Sequence, residues 1–247
     1  MIAGAATLAA PALAPPALAQ TAPPAAGPTV GVEATTDERR RGLSWSEGRA
    51  SVSGDAALTL GMIELDARVA ALRDSVRHDG AEAVADLGAA IVTDAGPVQL
   101  RGRAIGHVFA GAARGMDYAE FGGDARYSLG PVELTAGALY APPQRAIGGS
   151  NLYLSAQAVA GIPATPLTVV GGVGRSSGAV DDAVRADRLR PGGTYTDWRL
   201  GVEHTTGPLT LALDYVGTDL NDDRVVSAIG DRRHSGDRIL GRVRFAF

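Results

Sequence analysis

"GDRILGRVRFAF", residues 236–247, alternates strictly to its last position. Counting back from the end, Phe247, Phe245, Val243, Gly241 and Ile239 form one set. Ala246, Arg244, Arg242, Leu240 and Arg238 form the other. Successive side chains of an extended strand point to opposite faces, so one face is apolar and the other carries three arginines. A half-buried strand of a soluble sheet would read the same way. The remainder of the chain has to decide.

The same alternation recurs back along the sequence. Leu209, Leu211, Leu213 and Tyr215 oppose Thr210, Ala212 and Asp214, while Trp198, Leu200 and Val202 oppose Asp197, Arg199, Gly201 and Glu203. Val132, Leu134, Ala136, Ala138 and Tyr140 oppose Glu133, Thr135 and Gly137. Phe121, Gly123, Ala125, Tyr127 and Leu129 oppose Glu120, Asp124, Arg126 and Ser128. Val98, Leu100, Ala104 and Val108 oppose Gln99, Arg101, Arg103 and His107, and Ile63, Leu65, Ala67 and Val69 oppose Glu64, Asp66 and Arg68. Weaker alternation covers residues 28–36, 49–60, 82–93, 150–160 and 164–175. Helical periodicity competes only over 62–73, where the charges still fall on a period of two.

About twelve strands result, joined by connections of two kinds. Short ones carry Gly or Pro: "LGM" at 60–62, "AGP" at 95–97, "LGP" at 129–131, "GIPATP" at 161–166 and "TGP" at 206–208. Long polar ones cover 37–48, 73–82, 112–117, 141–150, 175–193 and 217–237. The two kinds alternate along the chain, which a soluble sandwich has no reason to do. Short turns on one rim, long loops on the other and both ends on the short-turn side predict an all-β transmembrane antiparallel barrel over 28–247. After residue 20 no run of 18 or more apolar residues occurs, so no membrane helix is expected. The apolar sets then face lipid and the charged sets face the lumen. Phe247, Phe245 and Val243 have the pattern that barrel-assembly machinery recognises in outer-membrane proteins.

Composition removes several alternatives. The 247 residues include no cysteine, which excludes thiolate metal sites, disulfides and cysteine nucleophiles. A net charge of −4 points to no nucleic-acid partner. Lysine is absent and arginine supplies all 23 strong cations. "MIAGAATLAAPALAPPALAQ" is apolar, rich in small residues and ends Ala17-Leu18-Ala19, the shape of a signal-peptidase site, although no cation precedes Arg39. Residues 1–19 are therefore read as a signal peptide whose start lies inside a longer leader, or else as a proline-broken tail; 20–27 are a linker.

A shorter stretch carries a family likeness. "VGVEATTDERRRGLSWSEGRASVSGDAALTLG" at 30–61 resembles the start of the TorF-like porins of proteobacteria, matching their motif at Asp37, Arg41, Gly42 and Ser44. It departs at Glu38 and Arg40, where the family usually has aromatic residues. The resemblance implies an outer-membrane barrel with a pore function and no defined substrate. From the residues themselves, Arg41-Gly42 suits a sharp turn that lays a guanidinium on carboxylates. The alternative is that Arg39 to Arg41 form a solvated loop touching lipopolysaccharide phosphates.

The expected pore-lining set is Glu64, Asp66, Arg68, Arg101, Arg103, Glu120, Asp124, Arg126, Asp197, Arg199, Glu203, Asp214, Arg238, Arg242 and Arg244, with Glu33, Asp55, Asp86 and Glu133 on the same faces. Closure brings Arg238, Arg242 and Arg244 within reach of Glu33, Asp214 or Glu203, and places Arg101 and Arg103 one strand from Asp86 and Glu120. Such ladders either set the selectivity of an open pore or fill the lumen with salt bridges. A narrow channel for small hydrophilic, charged solutes is the first expectation; a closed barrel offering its loops for adhesion is the second. Lipid and lipopolysaccharide are the other expected partners.

No cofactor, metal centre or catalytic residue is predicted. His78, His107, His204 and His234 are scattered without metal spacing, and His204 has no serine partner on the lipid side. "DDAVRAD" at 181–187 and "NDD" at 221–223 read as solvated acidic loops rather than calcium sites. "GGVG" at 171–174 lies in a predicted strand with no helix after it, which rejects a phosphate loop.

Overall fold

The computed structural model describes residues 28–220, 225 and 227–247. The leader and linker readings, and "NDD" at 221–223, lie outside them. Its strands in chain order are β1 (Pro28–Thr35), β2 (Arg39–Arg40), β3 (Leu43–Ser44), β4 (Ser51–Leu60), β5 (Ile63–Ser75), β6 (Ala81–Ala95) and β7 (Val98–Ala110). There follow β8 (Tyr118–Leu129), β9 (Val132–Gln144), β10 (Gly149–Gly161), β11 (Leu167–Ser177), β12 (Tyr195–Thr206), β13 (Leu209–Thr218) and β14 (Arg238–Ala246). Twelve of them form one closed antiparallel barrel, and β2 and β3 make a separate two-stranded sheet. Within the segment 62–73, residues 63–73 are strand, as the charge period required.

Closure is made by β14, which pairs with β13 on one side and with β1 on the other. The register sets Gly31 against Ala246, Glu33 against Arg244 and Thr35 against Arg242. The ladder runs to the chain end: the Phe247 N–H donates to the Val30 carbonyl at 2.9 Å, and the Val30 N–H donates to Phe247 at 3.1 Å. A ring of strands has no open edge, so backbone polar groups are satisfied without water, as a bilayer demands.

The short turns explain why register is so well defined. Four of them have two residues, with Gly61, Gly96, Gly130 or Gly207 first, and each glycine has φ between +55° and +63°. In three the second residue is Pro97, Pro131 or Pro208. Proline fixes φ near −65°, which leaves the II′ turn, with its glycine in the first central position, as the tight hairpin available. At the fifth turn the sequence reading started β11 at residue 164, but the strand begins at Leu167. There Ala164 takes φ +61° and the Ile162 N–H reaches the Leu167 carbonyl at 2.9 Å, making a compact five-residue turn over 162–166.

Large apolar side chains cover the outside of the barrel. Leu200, Leu213 and Ile239 are 60%, 55% and 65% exposed, in line with Val32, Leu87, Phe121 and Leu134 around the wall. Soluble monomers rarely expose continuous apolar patches beyond a few hundred Å². A belt that encircles the molecule is a lipid contact. Leu200→Arg places a guanidinium in that belt; the expected loss is about 2–4 kcal/mol near the bilayer midplane, while Leu200→Phe should be nearly neutral. Urea titration of the heat-modifiable band in lipid vesicles measures both, and equal stability of the two variants would contradict the lipid-facing assignment.

Candidate functional site: a loop hairpin inside the barrel

The first long loop, 36–50, does not spread over the rim. It turns inward and forms the β2–β3 hairpin, in which Arg40 pairs with Leu43. Its two turn residues, Arg41 and Gly42, have φ of +52° and +75°, the paired positive angles of a type I′ turn. Gly42 also lies too close to the Thr218 methyl for any side chain. Asp37 ties the hairpin base: its carboxylate accepts from Ser44 Oγ at 2.6 Å, Ser46 Oγ at 3.1 Å and Arg39 Nε at 2.8 Å. Asp37, Arg41, Gly42 and Ser44, singled out in sequence, thus make one folded unit. Leu43 and Trp45 are buried, so the solvated-loop alternative is overturned: an apolar hairpin face and neutralised arginines gain more inside the barrel than in water.

Carboxylates on the wall hold the arginine tip. Arg40 pairs with Asp86 at 2.8 Å, and Arg41 grips both oxygens of Glu120 at 2.9 and 2.5 Å. His107 sits between the two acids, its Nδ1 2.7 Å from Asp86 and its Nε2 3.6 Å from Glu120. Arg68 takes Glu38 with two bonds of 2.7 and 2.9 Å. Each tip guanidinium also lies over a ring, Arg40 4.1 Å from Trp45 and Arg41 4.4 Å from Tyr153. Paired, hydrogen-bonded charge is the form in which charge tolerates burial.

Below the hairpin the lumen charges pair mostly across strands. Arg242 is a hub that contacts Asp214 at 2.7 Å, Glu203 at 2.8 Å and Glu33 at 3.2 Å, as expected from closure. Arg199 joins it through Asp214 and Glu203. Other pairs differ from the expectation. Arg244 binds Asp55 through two bonds, and Arg238 donates to the Gly48 carbonyl and lies 3.9 Å from Asp37. Arg101 pairs with Glu64 at 2.8 Å and lies 3.8 Å from Asp66, and Arg126 lies 3.5 Å from Glu133. Arg103 and Asp124 make no ion pair among the described residues. Arg101 and Arg103 do lie one strand from Asp86 and Glu120, but neither makes an ion pair with them among the described residues, and for Arg101 the reason is height. Asp86 is level with His107 and Glu120 with Ile105, and at about 3.3 Å per residue Arg101 lies roughly 20 Å further down its strand than His107. A cavity of about 530 Å³ remains, bounded by the hairpin, the Arg199–Arg242 cluster and the small polar side chains Thr135, Ser155 and Gln157.

Above the hairpin, loop arginines bind carbonyls that sequence could not have matched to them. Fully buried Arg77 donates to Ser44 at 2.9 Å, Arg188 at 3.1 Å and Gly230 at 2.9 Å, joining three loops to its own. Arg188 donates to the carbonyls of Met116 at 2.6 Å and Ala146 at 3.2 Å, and to His78 Nδ1 at 3.0 Å. Burial lowers the Arg188 guanidinium to about 10, so it stays charged at neutral pH. Arg190 holds Ser150, Gly178 and Ala179. Trp45 and Leu189 pack with Leu72, Val84, Tyr118 and Ile147 beneath this layer. The acidic loop at 181–187 is structural: Asp182 caps the helix Ala183–Ala186, and Asp187 accepts from the N–H groups of Ser227 and Gly192. His204 lies on the exposed wall 3.5 Å from Thr206 Oγ1, and His234 pairs with Asp231 at 2.8 Å in the last loop.

A closed lipid-facing barrel whose charged lumen is crossed by its first loop defines a transmembrane β-barrel of the bacterial outer-membrane type. The chain belongs to the family described as "Bacterial protein of unknown function (Gcw_chp)", matched over residues 95–244. Among solved structures it is similar to the KdgM porin, with 5% identity over 89% of this chain and 99% of that one and a TM-score of 0.58. A chain from work on the in-meso crystallization of membrane proteins matches with 13% identity, 89% and 83% coverage and a TM-score of 0.54. The outer membrane channel DcaP of Acinetobacter baumannii matches with 10% identity, 90% and 98% coverage and a TM-score of 0.47. At these identities the likeness is one of fold. Comparison with curated proteins found no match.

Arg41→Met strands the Glu120 carboxylate and should cost about 3–5 kcal/mol, as removal of one partner of a buried pair does. Adding Glu120→Gln should recover most of that loss, and trypsin should cut the single variant at Arg39–Arg40 while sparing the parent. A single variant as stable and as resistant as the parent would contradict the latch. Burial, followed by the charges of Arg188 and Arg77, holds the His78 imidazole well below its ordinary 6.5. The packed loops therefore keep a neutral imidazole, while a released loop takes up a proton near pH 6.5. Packing is at full strength above that pH and weakens as pH falls below it. Amide exchange over 44–47 and 186–190 should accelerate between pH 7.5 and 5, and His78→Gln, which still accepts from Arg188, should remove the step.

Proposed function

We propose that the protein is a channel for passive diffusion of small hydrophilic solutes across the outer membrane. It is a member of the TorF-like porins, with its conductance limited by the inward hairpin and governed by the arginine-tied loops. The observation that carries this reading is the cavity of about 530 Å³ beneath the hairpin, walled by polar and charged side chains. A barrel serving only as a scaffold could fill that space with apolar residues, as small barrels do. Solutes reach the lumen past Arg41 and Arg242, whose paired charges make the field they cross. Export behind a leader at 1–19, assembly through the Phe247 signal and rim contacts to lipopolysaccharide belong to the same reading. No catalytic step does.

A second reading rests on the cap. Because Arg77 and Arg188 join so many loops, a barrel closed at its outer end and displaying those loops is the competing function. Planar-bilayer recording of refolded, heat-modifiable protein separates the two. Discrete steps with a salt-gradient reversal potential, and more frequent opening in Arg188→Ala, are the expected result. Silence from both folded proteins would replace the channel with the closed barrel.

A further inference from the structure

Charge accounting around the lumen cavity leaves one group over. The arginines on its wall all have carboxylate partners: Arg39 with Asp37, Arg40 with Asp86, Arg41 with Glu120, Arg68 with Glu38, and Arg199 and Arg242 with Asp214. On the acidic side Glu33 is held by Arg242. Asp197 makes no ion pair among the described residues, although it lines the same cavity and is only 8% exposed. Its Oδ1 accepts one bond of 3.2 Å from the Tyr153 hydroxyl, and its Oδ2 is buried without a hydrogen-bond partner.

The surroundings are arranged for this carboxylate. Tyr153 stands on β10 and Asp197 on β12, with β11 between them. Tyr153 crosses β11 over Gly174, where any side chain would collide with the phenol. Above, the Gly42 turn closes down on the Asp197 side chain, which a Cβ on Gly42 would meet at 3.0 Å. Arg41 lies over the Tyr153 ring, but both of its Nη nitrogens bind Glu120 and no ion pair joins it to Asp197. A buried carboxylate short of donors is costly and is normally paired. The cavity is the space from which a donor for it can come.

We propose that Asp197 and Tyr153 form a subsite under the hairpin for the cationic head of a small solute, an alkylammonium group. The ammonium donates to Asp197, the phenol keeps the carboxylate oriented, and the solute's remainder lies along the small polar wall of Ser155 and Gln157. This rests on solutes entering the lumen and names the charge class that pauses there.

The test is binding of n-butylammonium to refolded full-length protein in detergent micelles, followed by saturation-transfer NMR, with butyrate as the anionic counterpart. Saturable n-butylammonium binding, without butyrate binding, is expected. Asp197→Asn, of equal size, should weaken it about tenfold or more, the scale of one lost charge-assisted hydrogen bond. Tyr153→Phe should weaken it less. Heat-modifiable mobility confirms that each variant is folded. Unchanged affinity in Asp197→Asn, preference for butyrate, or no binding by folded parent protein would overturn the subsite. Conductance steps without binding would remove the subsite and leave the channel; binding without steps would keep the subsite in a closed barrel.

Discussion

Two guanidinium–carboxylate pairs fix the interior of this barrel. Arg40 on Asp86 and Arg41 on Glu120 pull a loop that belongs to the rim down into the lumen. Once there, the hairpin shields its own electrostatics from water, which strengthens the pairs that hold it. Its base is tied by Asp37 to Ser44 and Ser46, and its turn fits only because residue 42 is glycine. Replacing Arg40 and Arg41 with apolar residues would leave Leu43 and Trp45 as the reason to fold inward, opposed by the buried carboxylates of Asp86 and Glu120. The latch and the apolar face therefore act together.

The loop layer above follows from the same hairpin. Ser44, in β3, offers its carbonyl to Arg77, and Trp45 offers its ring edge to His78 at 4.3 Å. Arg77 and Arg188 then use carbonyls rather than carboxylates. That choice suits loops, whose backbone oxygens have no ladder partners and would otherwise be buried unsatisfied. A guanidinium with five donors can satisfy several at once. The layer is ordered by hydrogen bonding on a small apolar cluster, not by a large core.

The barrel was almost fully legible in sequence, and the interior only in part. Period-two alternation, Gly-Pro turns and the sorting of short and long connections determine strand number and topology without any long-range information. Arg242 to Glu33 and Asp214 was readable because closure places neighbouring strands side by side. Arg101 lies one strand from Asp86 and Glu120 as read, but its partner is Glu64, because alternation reports which face a residue takes and not its height along the barrel. The hairpin left a signal that went unused: "RRRGLSW" at 39–45 puts Leu43 and Trp45 inside a loop otherwise rich in charge. Apolar residues in a supposedly solvated loop are an argument that the loop is not solvated. The carbonyl contacts of Arg77 and Arg188 leave no such trace, since any backbone can supply a carbonyl.

Charge distribution around the ring gives the interior a direction. β9, β10 and β11 present Thr135, Gly137, Ser155, Gln157, Gly172 and Gly174 inward, small and uncharged above Glu133, while β12 to β14 and β1 to β8 carry most of the pairs. The charged arc is cross-linked, so its side chains are held close to the wall and to each other. The neutral arc has little bulk to hold, and the cavity lies against it. Asp197 stands on β12 where the two arcs meet, reached from the neutral side by Tyr153 across Gly174. In the proposed channel, a solute following the neutral arc would meet Asp197, which has no ion-pair partner among the described residues, at the level where the hairpin turn closes on it.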